Sequence, residues 1–479
     1  MRVVMVASES LPFAKVGGLG DVVYSLSKKL VNKNVKVSIV IPFYKCIKEN
    51  IISSLELYQS FNVKMSWRNQ ICDIYHLIKD KIDYYFIGND YYFFRNKIYG
   101  EKDDFERFSF FGLSAYELIF KYLKRVDIVH IHDHQGSSIP LLYYYNHQKE
   151  YDKKRTRFML TIHNPCFQGI CQRSDLSNYF NLPESLFDDG LARLDGQVNL
   201  LKSAIMLSDK VTTVSPSHKC ELLNGISSYG LEKVLPFRNS DLVGILNGLN
   251  EEEFNPKNDP YIYLPFSKNN VINNKKYNKQ KLCQELNFVH KDYPLFCIVS
   301  RITKQKGFGI IIQNIEKILK FKLNLVILGQ GDPDLEHQLS FYCMNKDNVS
   351  LNIKYSNELA HKIYASSDFI LMPSLYEPCG ISQMIALKYG TIPLCTKVGG
   401  LKDTIISYNQ LNIDKANGLL FDYDSNELLI NLIISLNIFE KKREMNKLIH
   451  NAMNANFSWN KACEEYLRLY KQMLQKNID

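Results

Sequence analysis

Residues 15–21, KVGGLGD, return as KVGGLKD at 397–403, and a lysine beside paired glycines is a combination that can hold a phosphate. The first copy follows an apolar run at 3–7 and leads into Val22, Val23, Leu26 and Leu30, four apolar side chains on one helical face. Strand, glycine turn and helix in that order bring backbone N–H groups to the positive end of a helix, where Lys15 adds a full charge. The same residues equally fit a tight turn with no ligand, and the lysine and Ser/Thr of a P-loop are absent. A second cationic pair, Arg301 and Lys306 in SRITKQKG (300–307), falls just past an apolar strand and opens a helix. A guanidinium and an ammonium there can clamp a diphosphate without a divalent ion and stabilise the negative charge growing on a leaving nucleotide. The plainer alternative is a pair of exposed cations. Further on, PSLYEPCGISQ (373–383) sets Glu377 as a partly exposed rim carboxylate at a turn broken by Pro378 and Gly380. A helix at 381–389 follows, and its N-terminus would aim at the same anion. Alone, such a Glu is a capping or surface residue; in series with Arg301 and Lys306 it belongs to a site.

His130, His132, Asp133 and His134 form HIHDH at the end of another apolar run. Alternate residues on a strand end share a face and can grip one ion, as in binuclear metal hydrolases, but the spacing is one residue short and no second His/Asp cluster accompanies it. The other readings are buried, hydrogen-bonded histidines and a sugar-binding strand end; the second half of the chain favours the last.

Positioning these groups requires a frame. Short apolar runs alternate with helical periodicity throughout, at 35–41, 127–132, 157–162 and 210–214, then at 295–300, 323–328, 349–353, 368–373 and 391–395. That alternation is the βαβ signature of parallel sheets and predicts two doubly wound α/β domains. The boundary falls within 241–253, DLVGILNGLNEEE, where a strand-like run ends at Asn247-Gly248 and charge replaces apolar periodicity. Ligands of doubly wound sheets bind beyond the carboxyl ends of strands, and the residues there are unusually polar: Lys15, Asp21, Asp133, His134, His163 and Asn164, then Arg301, Lys306, residues 329–332, Glu377, Gly399 and Gly400. Two such rims facing each other would make one cleft.

The chain has 479 residues, 46% apolar, ample for two large cores. Eleven cysteines without a C-x-x-C pair argue against a disulfide framework and a zinc ribbon, and predict a reducing cytoplasmic home. The first apolar run ends at once in Ser8-Glu9-Ser10, too short for a signal peptide, and no later run approaches membrane-spanning length. The net charge of +9 is spread among acids, and the densest basic stretch, 268–281, reads as a solvated loop and helix start rather than a nucleic-acid arm. No nucleic-acid or membrane partner is expected.

Over nearly its full length the chain resembles the glycogen and bacterial or plastidial starch synthases, retaining glucosyltransferases of the two-domain GT-B fold. KVGGLGD, TIHNPCFQG, DKVTTVSPS, GILNGLNEEEFNP, SRITKQKG, LGQGDP, SLYEPCGISQ, TKVGGLKDT and FSWNKACEEYLRLY occur in the family's order and at similar spacing. The resemblance implies two Rossmann-like domains facing across a cleft: an acceptor-side domain at 1–245, a nucleotide-sugar-binding domain at 246–455, and a C-terminal helix at 456–479 that returns to the first. It implies transfer of glucose from ADP-glucose, or alternatively UDP-glucose, to the non-reducing end of an α-1,4-glucan, without metal or other cofactor. By motif, Lys15 with Gly17 and Gly18 looks like the group that meets the donor's distal phosphate. Asp21, Asn247 and His163 look like sugar-side contacts, with His163 placed among the catalytic residues. Arg301 and Lys306 resemble the diphosphate clamp, and Glu377 the acid that holds the transferred glucose beside the Cys379 and Gly380 backbone. Tyr355 resembles the ring that packs on the nucleobase; Tyr99 and Asp133 look like acceptor-side residues. After Asp133 the family commonly has an aromatic, where this chain has His134 and Gln135.

Overall fold

A computed structural model describes residues 1–51, 54–147, 156–290 and 292–475. The chain divides into two compact units: Met1–Gly248 together with the segment from Trp459, and Leu249–Ser458. The last four residues of the expected C-terminal segment, 476–479, lie outside the described residues.

Among the described residues the first unit carries β1 (Arg2–Val6), β2 (Lys36–Pro42), β3 (Glu56–Met65), β4 (Arg68–Lys79), β5 (Ile82–Gly88), β6 (Ile128–His132), β7 (Arg157–Ile162), β8 (Ile170–Cys171), β9 (Arg193–Leu194), β10 (Gln197–Asn199), β11 (Lys210–Thr213) and β12 (Leu242–Gly244). Its main sheet runs β12-β11-β7-β6-β1-β2-β5-β4-β3. It is parallel from β12 to β5, as the alternating pattern predicts. At one edge β3 and β4 run antiparallel, which the pattern of apolar runs did not indicate. The reason is in the turns: two residues, Ser66 and Trp67, join β3 to β4, and Asp80 and Lys81, both at positive φ, join β4 to β5. So short a connection can return a strand only antiparallel to its neighbour. A small antiparallel sheet, β8-β10-β9, was likewise not anticipated.

Gly17 caps the helix Gly18–Val31, in which Val22, Val23, Leu26 and Leu30 are all buried. The helix Trp459–Gln475 places Trp459, Cys463, Tyr466, Leu469, Tyr470 and Met473 in the core of this same unit. Its apolar stripe finds a partner far away in sequence, and that is how the C-terminus returns to the first domain.

The second unit carries β13 (Leu295–Val299), β14 (Asn324–Gly329), β15 (Val349–Ile353), β16 (Phe369–Met372), β17 (Ile392–Thr396) and β18 (Leu419–Phe421), all parallel in the order β15-β14-β13-β16-β17-β18. The chain winds outward from β13 in one direction and from β16 in the other, so the strand order reverses between them. In the first unit the reversal lies between β1 and β6. Loops leaving the strands at such switch points part to opposite faces, which opens a crevice at each.

Candidate active site

At the switch point of the second unit, residues 300–307 leave β13 and 373–381 leave β16. Gly307 permits their close approach. Its φ is +80°, and a Cβ there would lie 1.8 Å from the Pro373 carbonyl oxygen. The Leu375 N–H donates to the Gln305 carbonyl at 2.9 Å, tying the loops by their backbones. Across this tie Lys306 Nζ meets Glu377 Oε2 at 2.5 Å, and Ser374 Oγ donates to the same oxygen at 3.1 Å. Glu377 is thus buried, not the partly exposed rim carboxylate the sequence suggests, because the loop folds its side chain inward onto Lys306. Gly380, at φ +73°, turns the chain into the helix Ser382–Lys388. Gln383 Nε2 donates to the Cys379 and Gly380 carbonyls at 3.1 Å each, fixing the turn that carries Glu377. Gly400 in the second KVGG copy donates its N–H to the Glu377 carbonyl at 3.0 Å, and a Cβ there would meet the Cys379 carbonyl oxygen at 2.0 Å. The repeat at 397–403 therefore braces the Glu377 loop. Arg301 is exposed just beyond β13, and Tyr355 is exposed just beyond β15. Neither hydrogen-bonds to the Lys306–Glu377 pair among the described residues.

In the first unit the organising group at the β1 end is one the sequence reading passed over. Glu9 is buried, and its Oε2 accepts from the N–H groups of Val16 and Gly17, the latter at 3.2 Å. Tyr99 OH donates to Glu9 Oε1 at 3.2 Å and lies 2.6 Å from Ser8 Oγ. Burial raises the Glu9 carboxyl above its ordinary value despite those donors. A carboxylate thus occupies part of the N–H array of the glycine turn from the protein side. Lys15 Nζ pairs with Asp21 Oδ1 at 2.9 Å, and Gly18 begins the helix beside them. Burial raises Asp21 while Lys15 opposes the shift. The polar Ser8-Glu9-Ser10 immediately after a first strand was the available signal for Glu9.

At the β6 end Asp133 sits at φ +58°, and its Oδ1 accepts from the N–H groups of His163 at 2.7 Å and Asn164 at 3.2 Å. It fixes the turn that carries His163. Burial, with Glu9 nearby, pushes its carboxyl up to about 7 against those two donors. His132 Nδ1 lies 2.9 Å from His163 Nε2, and burial holds His163 at about 3, hence neutral at physiological pH. His130 spends both ring nitrogens inside the unit, on Tyr470 OH at 2.7 Å and Thr161 Oγ1 at 2.6 Å, leaving no lone pair for an ion. Among the described residues no group of three His, Cys, Asp or Glu is placed to hold a metal. Asn247 is buried, and among the described residues its Oδ1 has no hydrogen-bond partner.

Two doubly wound units, one with a carboxylate and an ammonium locked together at its switch point, match the GT-B class of glycosyltransferases, as comparison with known proteins shows. The family model for the starch synthase catalytic domain matches residues 2–236, and that for glycosyl transferases group 1 matches 281–454. A glycogen synthase of Clostridium kluyveri is 39% identical over 477 residues, covering 99% of this chain and 100% of that protein. One of Caldicellulosiruptor bescii is 40% identical over 478 residues with the same coverage. The solved catalytic domain of starch synthase IV from Arabidopsis thaliana, bound to ADP and acarbose, is 31% identical, covers 99% of both chains and superposes with a TM-score of 0.90. Sucrose-phosphate synthase from Thermosynechococcus elongatus, at 16% identity and a TM-score of 0.61, shares the fold. The chain belongs to the glycogen and starch synthase family.

Proposed function

We propose that the protein transfers glucose from ADP-glucose to the non-reducing end of an α-1,4-glucan with retention of configuration. The observation that carries this reading is the Lys306–Glu377 ion pair at the second unit's switch point, its carboxylate buried and its ammonium partly exposed, where an anionic leaving group and a sugar can be held side by side. Retaining transfer develops positive charge on the sugar and negative charge on the departing diphosphate. Lys306 and Arg301, from the same strand-end loop, stabilise the latter, and such charges act more strongly where water is excluded. Glu377 and the Cys379-Gly380 backbone hold the glucose, while Tyr355 packs on the base. In the first unit Lys15, Gly17 and Gly18 form a phosphate-binding turn. Asp21, His163 and the unpartnered Oδ1 of Asn247 are supports for sugar hydroxyls, and Tyr99 and Asp133 for the acceptor. Front-face departure and attack fits the absence of an evident second nucleophile in the sequence.

The cationic pair replaces a divalent ion in this reading, so transfer is metal-independent. Among the described residues no disulfide joins two cysteines, which suits a cytoplasmic enzyme, and no described helix is long and apolar enough to cross a membrane. Incubation with glycogen and either ADP-glucose or UDP-glucose, with and without EDTA, should release ADP and leave the rate essentially unchanged by chelator. Release of UDP alone would transfer the assignment to the other donor. Activity abolished by EDTA and restored by Zn²⁺ or Mn²⁺ would overturn the cationic clamp.

A further inference from the structure

The HIHDH run at the end of β6 offers no metal site among the described residues, and its middle histidine, His132, is fully buried. His130 and His132 alternate along the strand and so share one face of the sheet, with ring centroids 4.2 Å apart. On the neighbouring strand Thr161 pairs with His132, which brings His163, two residues further on and on the same face, diagonally past it. His132 Nδ1 then lies 2.9 Å from His163 Nε2. Two adjacent residues thus hold His163: Asp133 takes its backbone N–H, and His132 its ring.

The ring contact has a direction. Burial lowers His130, His132 and His163 alike, so each carries a single ring proton at physiological pH. Two arrangements then satisfy one hydrogen bond between His132 and His163. In the first, His163 donates from Nε2, and His132 must keep its own proton on Nε2. That nitrogen is buried without a hydrogen-bond partner among the described residues, so its proton would be an orphaned N–H. In the second, His132 donates from Nδ1 and leaves only a lone pair on Nε2. Protein interiors leave acceptors unmet more often than donors, which selects the second arrangement. His163 accordingly accepts at Nε2 and carries its proton on Nδ1, because the bond made by one ring nitrogen sets the state of the other.

His130 shows what a purely structural histidine looks like here, with both ring nitrogens spent on Tyr470 and Thr161 inside the unit. His163 differs. It is partly exposed, and among the described residues its Nδ1 has no hydrogen-bond partner. The ring therefore keeps one N–H to offer at the strand end. We propose that His132 is a positioning residue for His163, donating from Nδ1 so that His163 presents a fixed Nδ1–H to a hydroxyl oxygen of the transferred glucose; the glucose contact rests on the function proposed above. A bare nitrogen in that place would compete for the hydroxyl's own proton and reverse the polarity of the contact.

Long-range proton–nitrogen correlation spectra of protein labelled with nitrogen-15 histidine read the tautomer, because protonated and bare ring nitrogens resonate far apart. The His163 signals are those missing from His163→Gln. They should place the proton on Nδ1 in the parent and lose that preference in His132→Phe, which keeps a ring against His130 but has no donor. With ADP-glucose and glycogen, kcat should fall about tenfold in His132→Phe while KM for glycogen and the melting temperature stay near the parent's. His132→Asn, whose amide nitrogen can stand where Nδ1 stood, should restore the tautomer and most of the turnover. Adding His132→Phe to His163→Gln should cost nothing further, whereas a merely structural role would lower kcat equally in both backgrounds. A parent His163 protonated on Nε2, parent-like kcat in His132→Phe, or equal losses in the two backgrounds would each overturn the proposal. The parent spectrum decides the tautomer even where a variant fails to fold. Absence of transfer from either donor would remove the glucose contact together with the proposed reaction, and the spectra would still decide the bond between His132 and His163.

Discussion

The Glu377 carboxylate is buried against the Lys306 ammonium, so replacing either acts on both chemistry and packing. Glu377→Ala should lower kcat by roughly 10² or more if the carboxylate contacts the sugar as it transfers. It also leaves the Lys306 ammonium facing a cavity, so its melting temperature should fall. Glu377→Gln, able to keep the Ser374 hydrogen bond, should retain stability while losing turnover, a split measurable by steady-state kinetics beside calorimetry. Near-normal kcat in both would reduce Glu377 to a loop brace. Asp133 gives a pH signature. Its carboxyl is raised to about 7 in the folded protein, so the folded state binds the proton more tightly than the unfolded chain. The stability this contributes is fully present below about pH 4, the unfolded carboxyl value, and is lost as pH rises through 7. His130 and His163, held at about 3, have the opposite sign: their contribution is complete above about 6.5 and declines as pH falls. Asp133→Asn removes only the first effect, so the variant's melting temperature relative to the parent should climb from pH 4.5 to pH 7.5. A constant offset across that range would mean that Asp133 does not titrate there.

At the scale of elements, the site depends on how closely two strand-end loops can approach. Gly307 combines a left-handed backbone with a carbonyl oxygen 1.8 Å from where a Cβ would stand. Gly307→Ala therefore adds about 1–2 kcal/mol of backbone strain to a steric clash that must push the loops apart. Because Lys306 adjoins this residue, kcat should fall more than tenfold while the second unit still folds, as checked by kinetics and circular dichroism. Full activity in the variant would show that the Lys306–Glu377 spacing is not critical.

At the scale of the whole molecule, the two units differ in how they use the chain. Leu249–Ser458 is continuous, whereas the first unit is completed by a helix that begins after the second unit ends. Residues 249–458 expressed alone should unfold in one cooperative urea transition. Residues 1–248 alone would expose the apolar surface that covers Trp459, Tyr466 and Tyr470, and would strip His130 Nδ1 of its Tyr470 partner. That fragment should bind ANS and unfold broadly until residues 459–475 are fused back through a linker. A sharp transition for 1–248 alone would mean that the helix is dispensable.

The sequence by itself determined the alternating strands, the two parallel sheets and most of the polar strand-end residues, because apolar periodicity and glycine turns act over a few neighbours. Val22, Val23, Leu26 and Leu30 are buried as their spacing requires, and β7 and β15 lie at the residues their apolar runs mark. The antiparallel edge at β3 and β4 escaped because its strands are half-buried and their hairpin turns lack the usual Asn-Gly or Asp-Gly. Only tertiary structure decided which polar groups meet. Glu9 fills the glycine turn, Asp133 fixes His163, Lys306 locks Glu377 below the surface, and Tyr470 reaches His130 across 340 residues of chain. Most of those pairings join strand-end loops, or a strand and a helix, that are far apart in the chain, and no local pattern records which elements will lie side by side.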